Sequence, residues 1–202
     1  LAMAAGDDGM GGVEQVLLNE NFETAVTYED GATEVVLGRG NSVYNGWNVN
    51  NTSGTSYDDH STFKILKEDE NQVMATSKQS WDNKDGIVSM KKTTNTVTIG
   101  SNLYHLSFKL KRDTNNPGNL VIAFGGVQWV IRFDNGRLYA GKYGNSAGDS
   151  FYNYSANKWY DVEIFADYAN KKYSYYVDGE VVVTNSSGLE TTAVRSINSS
   201  VN

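Results

Sequence analysis

The sequence predicts an all-β fold built from short antiparallel strands. Apolar and polar residues alternate over Leu103–Arg112, the two-residue period of a strand with one buried face. Asn135-Gly136 and Asp178-Gly179 each join two β-rich runs, and such pairs are a strong hairpin signal because both residues accept positive φ. We find no amphipathic helical pattern of ten residues or more. Many short strands joined by tight turns are typical of sandwiches and barrels.

The individual strands follow from the same pattern. A third hairpin is predicted at Tyr168–Lys171. The predicted strands are Val16–Phe22, Phe63–Lys67, Gln72–Thr76, Gly86–Lys91, Leu103–Arg112, Leu120–Phe124, Val127–Phe133, Arg137–Ala140, Lys158–Asp167, Lys172–Val177 and Glu180–Val183.

Composition limits the organisation of the chain and its partners. The 202 residues suffice for one β-domain, which we place at 13–202. The Gly-rich start, Leu1–Gly12, is expected to be a flexible linker, a processed export segment or a cloning scar. The net charge is −7 and no run of Lys and Arg occurs, so we expect no nucleic-acid partner. No apolar stretch is long enough for a membrane helix, so no membrane partner is expected either.

Cysteine usage bears on the compartment. The chain has no cysteine, so it forms no disulfide and no cysteine metal site. A cysteine-free chain rich in Asn and Tyr favours a secreted or cell-surface bacterial protein over a secreted animal domain.

One segment carries a family resemblance. Lys158–Val183 (KWYDVEIFADYANKKYSYYVDGEVVV) resembles the Trp-Tyr, strand, Tyr-x-x-Tyr-Val-Asp-Gly pattern of concanavalin A-like, or laminin-G-like, jelly rolls. Asn19–Glu23 and Gly46–Asn48 are similar to the entry strands of such modules in bacterial carbohydrate-active enzymes. The resemblance implies a two-sheet antiparallel jelly-roll sandwich acting as a carbohydrate-binding module. It also implies a structural calcium ion with a ligand from the opening strand, where Glu23 is the matching residue.

The first candidate binding residues lie in Ser77–Gly86. Trp81 stands in a polar, turn-forming stretch with few neighbours in sequence to bury it. An aromatic ring lies well against the apolar C–H face of a sugar, while amide and charged groups bind its hydroxyls. We therefore predict a sugar-binding loop; the alternative is that Trp81 plugs the end of the sandwich. The loop's polar candidates are Asn83, Lys84 and Asp85.

Two further loops supply aromatic candidates. Tyr57 lies beside Asp58, Asp59 and His60, a stretch that we interpret as a solvated loop rather than a metal site. Tyr143 lies in a Gly-, Ser- and Asn-rich segment and is predicted either to border a sugar groove or to pack over its own loop.

The strand Val127–Phe133 supplies a polar face. Gln128 and Arg132 lie opposite its apolar residues and are predicted to form the floor of a shallow groove, where Arg132 would pair with a uronate carboxylate. The alternative for Arg132 is an ion pair with Glu163 or Asp161. The tryptophans of the β-rich runs are expected to be structural: Trp47, Trp129 and Trp159.

Catalysis is the less favoured interpretation. Glycosidases need two suitably placed carboxylates, and Asp161-Val162-Glu163 matches the strand motif of jelly-roll glucanases poorly. Lyases of this fold resemble one another in a Gln-x-His strand, a pattern that Gln128-Trp129-Val130 does not match.

The sequence therefore predicts a non-catalytic carbohydrate-binding module that targets a larger, multimodular extracellular bacterial protein to plant cell-wall polysaccharide. The domain itself is expected to be a monomer. The alternatives are a jelly-roll polysaccharide lyase or glycoside hydrolase, and a surface adhesion or spacer domain.

Overall fold

The computed structural model describes residues 2–6, 15–38, 40–51, 62–77, 80–81, 84–85, 88–97, 103–124, 127–142, 150–187 and 195–201. The first strands are β1 (Ala2–Gly6), β2 (Gln15–Asn19), β3 (Glu34–Leu37), β4 (Gly40–Tyr44), β5 (Trp47–Asn51), β6 (Thr62–Glu68), β7 (Asn71–Ser77), β8 (Ser80–Trp81), β9 (Lys84–Asp85) and β10 (Val88–Val97). The others are β11 (Leu103–Lys111), β12 (Gly118–Phe124), β13 (Val127–Asp134), β14 (Arg137–Lys142), β15 (Tyr152–Asn153), β16 (Trp159–Asp167), β17 (Lys172–Val177), β18 (Glu180–Ser187) and β19 (Arg195–Val201). Across these ranges there is no helix with the length and apolar character needed to cross a membrane.

The chain divides into two compact units. Unit 1 comprises Leu1–Glu20 and Thr94–Ile197, and unit 2 comprises Asn21–Thr93 and Asn198–Asn202. The single domain over 13–202 stays a prediction. The first twelve residues were predicted to lie outside the domain, but Ala2–Gly6 forms β1, which pairs antiparallel with β11. Small side chains do not prevent backbone hydrogen bonding, which is all that such a strand requires.

Unit 1 contains two antiparallel sheets that pack face to face. One has the strand order β18-β17-β16-β11-β1-β2, and the other contains β15-β14-β13-β12. Trp129 of the second sheet is 1% exposed and meets the rings of Tyr173 and Tyr175 from the first at 5.5 and 6.2 Å. The buried Tyr175 hydroxyl donates a 2.6 Å hydrogen bond to the carbonyl oxygen of Gly141 on β14. The predicted all-β, two-sheet antiparallel sandwich is confirmed.

The predicted turns of unit 1 are confirmed as well. Asn135 and Gly136 have φ of 48° and 75°, and Asp178 and Gly179 have φ of 48° and 77°. These values suit a tight hairpin whose twist matches that of its strands. The turn between β16 and β17 ends on Lys171, with φ 56°.

Two of the three tryptophan predictions are confirmed and one is wrong. Trp47 and Trp129 are buried, at 0% and 1% exposure, but Trp159 is 38% exposed. On β16, Tyr160, Val162 and Ile164 are buried, so Trp159 falls on the alternate, outward face of the same strand. The ammonium of Lys111 lies 4.9 Å from the centre of its ring.

Unit 2 has its own antiparallel pairings and its own core. The strands β3, β6 and β7 form one sheet, β5 pairs with β4 and with β10, and β8 pairs with β9. The fully buried side chains of this unit include Trp47, Phe63 and Ile65. Phe22 packs against Tyr44 and Trp47 at ring distances of 6.3 and 6.1 Å.

Candidate functional site

The outward face of β13 and β14 in unit 1 presents charged and aromatic side chains. Trp129, Ile131 and Phe133 of β13 are buried, so Arg132 faces away from the core and is exposed. The tight turn at Asn135-Gly136 fixes the register of the hairpin, in which Arg132 lies directly opposite Tyr139 of β14.

Arg132 stacks on Tyr139. Its guanidinium carbon lies 4.2 Å from the centre of the Tyr139 ring. Directly opposed side chains of an antiparallel pair start about 5 Å apart, so a long side chain reaches its neighbour without strain. The contact is a cation–π stack, which holds the planar guanidinium in one orientation while its edge stays open to solvent.

A second arginine and a second ring extend this surface. Phe151 is 40% exposed, and its ring centre lies 5.7 Å from that of Tyr139 at an interplanar angle of 51°. The guanidinium carbon of Arg137 lies 4.5 Å from the centre of the Phe151 ring. We call Arg132, Arg137, Tyr139 and Phe151 the arginine–aromatic cluster.

The two arginines of this cluster, Arg132 and Arg137, have no ion-pair partner in the part of the chain that the structure describes. Asp134 lies opposite Arg137 in the register of β13 and β14, yet the two form no ion pair. The guanidinium N–H groups are thus available to a ligand.

Of the predicted site residues, the structure places Arg132 in this cluster. Gln128 lies in β13 opposite Ala123. Trp81, Lys84 and Asp85 lie in the short β8–β9 pair of unit 2, where Trp81 is opposite Lys84. Asn83, Tyr57 and Tyr143 lie outside the described residues. Sugar binding by these residues stays a prediction.

The alternative pairing of Arg132 with Glu163 or Asp161 is wrong. The carboxylate of Asp161 accepts a 2.9 Å hydrogen bond from the Lys109 ammonium, and Glu163 Oε2 lies 2.9 Å from His105 Nε2. These residues belong to β11 and β16 in the opposite sheet. Because the two sheets share one core, their outward faces point in opposite directions, out of reach of Arg132.

Three members of the cluster were not predicted from the sequence: Arg137, Tyr139 and Phe151. Arg137 and Tyr139 are two residues apart on one strand, so the two-residue period of a strand predicts that both side chains lie on the same face. The position of Phe151 depends on tertiary contacts of the segment that follows it. There the Tyr154 backbone N–H donates to the carbonyl of Gly136 at 2.8 Å, and the Tyr154 hydroxyl donates to that of Thr114 at 3.0 Å.

Glu23, the residue matching a calcium ligand, lies in unit 2 beside Gln72. Glu23 Oε1 accepts the Gln72 backbone N–H at 3.0 Å. The Gln72 side-chain amide donates to the carbonyl oxygens of Phe22 and Thr24 at 3.3 and 3.2 Å. Three oxygens that suit a calcium ion therefore accept hydrogen bonds from one glutamine. In the described part of the chain no group of three or more acidic or histidine side chains is placed to hold a metal. Calcium binding stays a prediction.

Comparison with solved structures adds a fold likeness. The chain is similar to a sialidase at 17% sequence identity and a TM-score of 0.52, over 92% of this chain and 15% of the sialidase chain. The likeness is one of fold. With the antiparallel sheets of unit 1, it fits the predicted concanavalin A-like jelly-roll class.

The chain is also similar to an alginate lyase, AlgAT5 from polysaccharide lyase family 7, over 85% of this chain and 82% of that one. The sequence identity is 12% and the TM-score 0.42, so this similarity is too distant to support an inference. No protein-family profile and no curated protein matches the sequence. The chain spans about a seventh of the sialidase that it matches.

Proposed function

We propose that this chain is a non-catalytic carbohydrate-binding module, and that it holds polysaccharide on the arginine–aromatic cluster. The observation that carries the proposal is the exposed ring of Phe151 beside Tyr139, 5.7 Å between centres, with a guanidinium group against each ring. A ring that is 40% exposed keeps apolar surface in water that a ligand can cover.

The chemistry of this surface suits a sugar chain. Sugars combine apolar C–H faces with a rim of hydroxyls. The uncovered part of Phe151 offers contact to a C–H face, and the guanidinium edges offer N–H donors to ring and hydroxyl oxygens. An outward sheet face is also long enough for several consecutive sugar residues.

The setting of the module is part of the proposal. A cysteine-free chain that spans 15% of the sialidase it resembles is consistent with one module of a larger secreted or cell-surface bacterial protein. Plant cell-wall polysaccharide is the proposed target. The binding unit is proposed to be a monomer without a nucleic-acid or membrane partner.

The absence of catalysis is also proposed. The arrangement of acid–base groups supports it, because His105 and Glu163 are paired on the outward face of the opposite sheet. The two arginines of the arginine–aromatic cluster are always protonated and do not serve as general bases.

The test is retardation of the protein in native gels that contain soluble plant polysaccharides. We expect retardation of the wild type and its loss in Phe151→Ala. Trp159→Ala is the matched control, because Trp159 is similarly exposed, at 38%, but lies on the opposite outward face. If Trp159→Ala lost retardation while Phe151→Ala kept it, the polysaccharide would bind outside the arginine–aromatic cluster. Release of reducing ends or of unsaturated, ultraviolet-absorbing products would establish an enzyme instead.

A further inference from the structure

The two arginines of the cluster differ from ordinary surface cations in how they are held. Each guanidinium lies over an aromatic ring, Arg132 at 4.2 Å from the Tyr139 centre and Arg137 at 4.5 Å from the Phe151 centre. A side chain fixed in this way has lost much of its rotamer freedom before any ligand arrives. Binding to it therefore costs less conformational entropy than binding to a free lysine or arginine.

The stack also decides which part of each guanidinium meets a ligand. Each guanidinium lies over a ring while both arginines are otherwise exposed, which leaves open the edge that carries the N–H donors. That edge matches two oxygens of a carboxylate or sulfate group, and paired hydrogen bonds to such a group are stronger than those to a neutral hydroxyl. The same stacking covers part of the Tyr139 and Phe151 rings, which reduces the area left for a neutral sugar to lie on.

The charge around the two arginines also favours an anionic ligand. The whole chain carries a net charge of −7, yet within the described residues neither Arg132 nor Arg137 has a carboxylate partner. The two arginine charges outweigh the single carboxylate of Asp134, which lies opposite Arg137 on the same outward face, so this hairpin face keeps a net positive charge that attracts an anionic ligand. A surface meant for a neutral polymer has no need of this arrangement.

We infer that the ligand of the arginine–aromatic cluster is an acidic polysaccharide, whose carboxylate or sulfate groups pair with the edges of Arg132 and Arg137. This inference rests on the proposed function and narrows it to one class of glycan. The stacked rings act mainly as supports that orient the two guanidinium groups, and the uncovered part of Phe151 contacts the sugar between successive anionic groups.

The test is isothermal titration calorimetry on the full chain with four polymers: polygalacturonate, the same polymer after chemical reduction of its carboxylates to alcohols, dextran sulfate and dextran. We expect at least tenfold tighter binding to an anionic polymer than to its neutral counterpart. Preference for polygalacturonate identifies carboxylates as the anion, and preference for dextran sulfate identifies sulfate esters. Either preference supports the inference.

Variants separate recognition by these arginines from general attraction of charge. Arg132→Gln and Arg137→Gln are each expected to weaken binding of the anionic polymer about tenfold, and Arg132→Lys is expected to restore only part of it, since lysine keeps the charge without the planar fork. Lys171→Gln is the matched control: it removes one positive charge from the exposed β16–β17 turn and is expected to leave binding unchanged. Circular dichroism on each variant verifies folding.

Three results would overturn the inference, and they are distinguishable. Binding that is equal for polygalacturonate and its reduced form, and also equal for dextran sulfate and dextran, overturns the acidic-ligand inference but leaves the proposed function intact. An equal loss in Lys171→Gln and Arg132→Gln shows general charge attraction in place of recognition by the cluster. No binding to these four polymers or to any neutral plant polysaccharide overturns the proposed function itself.

Discussion

The guanidinium carbon of Arg132 lies 4.2 Å from the centre of the Tyr139 ring, and the two residues are directly opposed across the β13–β14 hairpin. Both strands are anchored by buried neighbours, Ile131 and Ala140, at 1% and 0% exposure. The contact is therefore set by the register of a rigid hairpin, and Arg132 is orientated before a ligand binds.

The first prediction tests this orientation. Tyr139→Leu keeps a side chain that can cover the strand but removes the ring under Arg132, a contact that contributes about 0.5–1 kcal/mol at an exposed site. We expect affinity for the bound polysaccharide to fall about three- to fivefold, with a small change in the melting temperature, as measured by titration calorimetry and thermal denaturation. Tyr176→Leu is the matched control, because Tyr176 is a half-buried tyrosine of β17 in the other sheet. Unchanged affinity in Tyr139→Leu would mean that the stack does not prepare Arg132 for binding.

The second prediction concerns the core of unit 1. Tyr175→Phe removes the buried hydroxyl that donates to the Gly141 carbonyl at 2.6 Å and leaves that carbonyl without this donor. We expect the free energy of unfolding at pH 7 to fall by about 1–2 kcal/mol, measured by urea denaturation. A variant as stable as the wild type would show that the hydrogen bond adds no net stability.

The third prediction is the pH dependence of the same residue. Burial raises the pKa of the Tyr175 hydroxyl well above its usual value of 10.0, and the charge of Tyr173 acts in the same direction. The folded state therefore favours the protonated hydroxyl. Its contribution to the free energy of unfolding is fully present below the unfolded pKa of about 10, and it is lost as the pH rises through the folded pKa. We expect wild-type stability to decrease above pH 10, and to decrease less steeply in Tyr175→Phe. Identical alkaline curves for the two proteins would contradict this assignment.

The fourth prediction concerns Gln72 and the calcium ion implied by the family resemblance. Because Glu23 and the carbonyls of Phe22 and Thr24 already accept hydrogen bonds from Gln72, we expect chelation by EDTA to leave the wild-type melting temperature unchanged. Gln72→Glu replaces the donating amide by a carboxylate facing the same two carbonyls. We expect it to be destabilised by about 1–3 kcal/mol and to be stabilised again by added calcium.

Asn71→Ala is the control for Gln72→Glu, because Asn71 is the exposed neighbour of Gln72 on β7. A wild-type melting temperature that falls in EDTA and recovers with calcium would instead support Glu23 as a metal ligand.

Much of the unit 1 fold was predictable because its signals are local. The Asn135-Gly136 and Asp178-Gly179 pairs specify turns that need positive φ, and alternation along β16 and the first half of β11 specifies which face is buried. Trp159 was mispredicted because its size was weighed above its place in the alternation, which puts it on the outward face.

The candidate site was less predictable because its contacts are not local. Arg132 was found from its position opposite the apolar face of β13, but its partner depends on hairpin register, and the place of Phe151 depends on how its segment is held. Trp81 was the first candidate from the sequence because its neighbours are polar and turn-forming, but polar neighbours in sequence do not reveal what a side chain contacts in space.

The most direct measurement is an NMR titration of the full chain with an acidic oligosaccharide, following the arginine Nε–Hε signals and the tryptophan indole signals. We predict saturable shifts of the Arg132 and Arg137 signals, with the Trp81 and Trp159 indole signals unmoved. Saturable movement of the Trp81 indole with the Arg132 and Arg137 signals unchanged would contradict binding at the arginine–aromatic cluster.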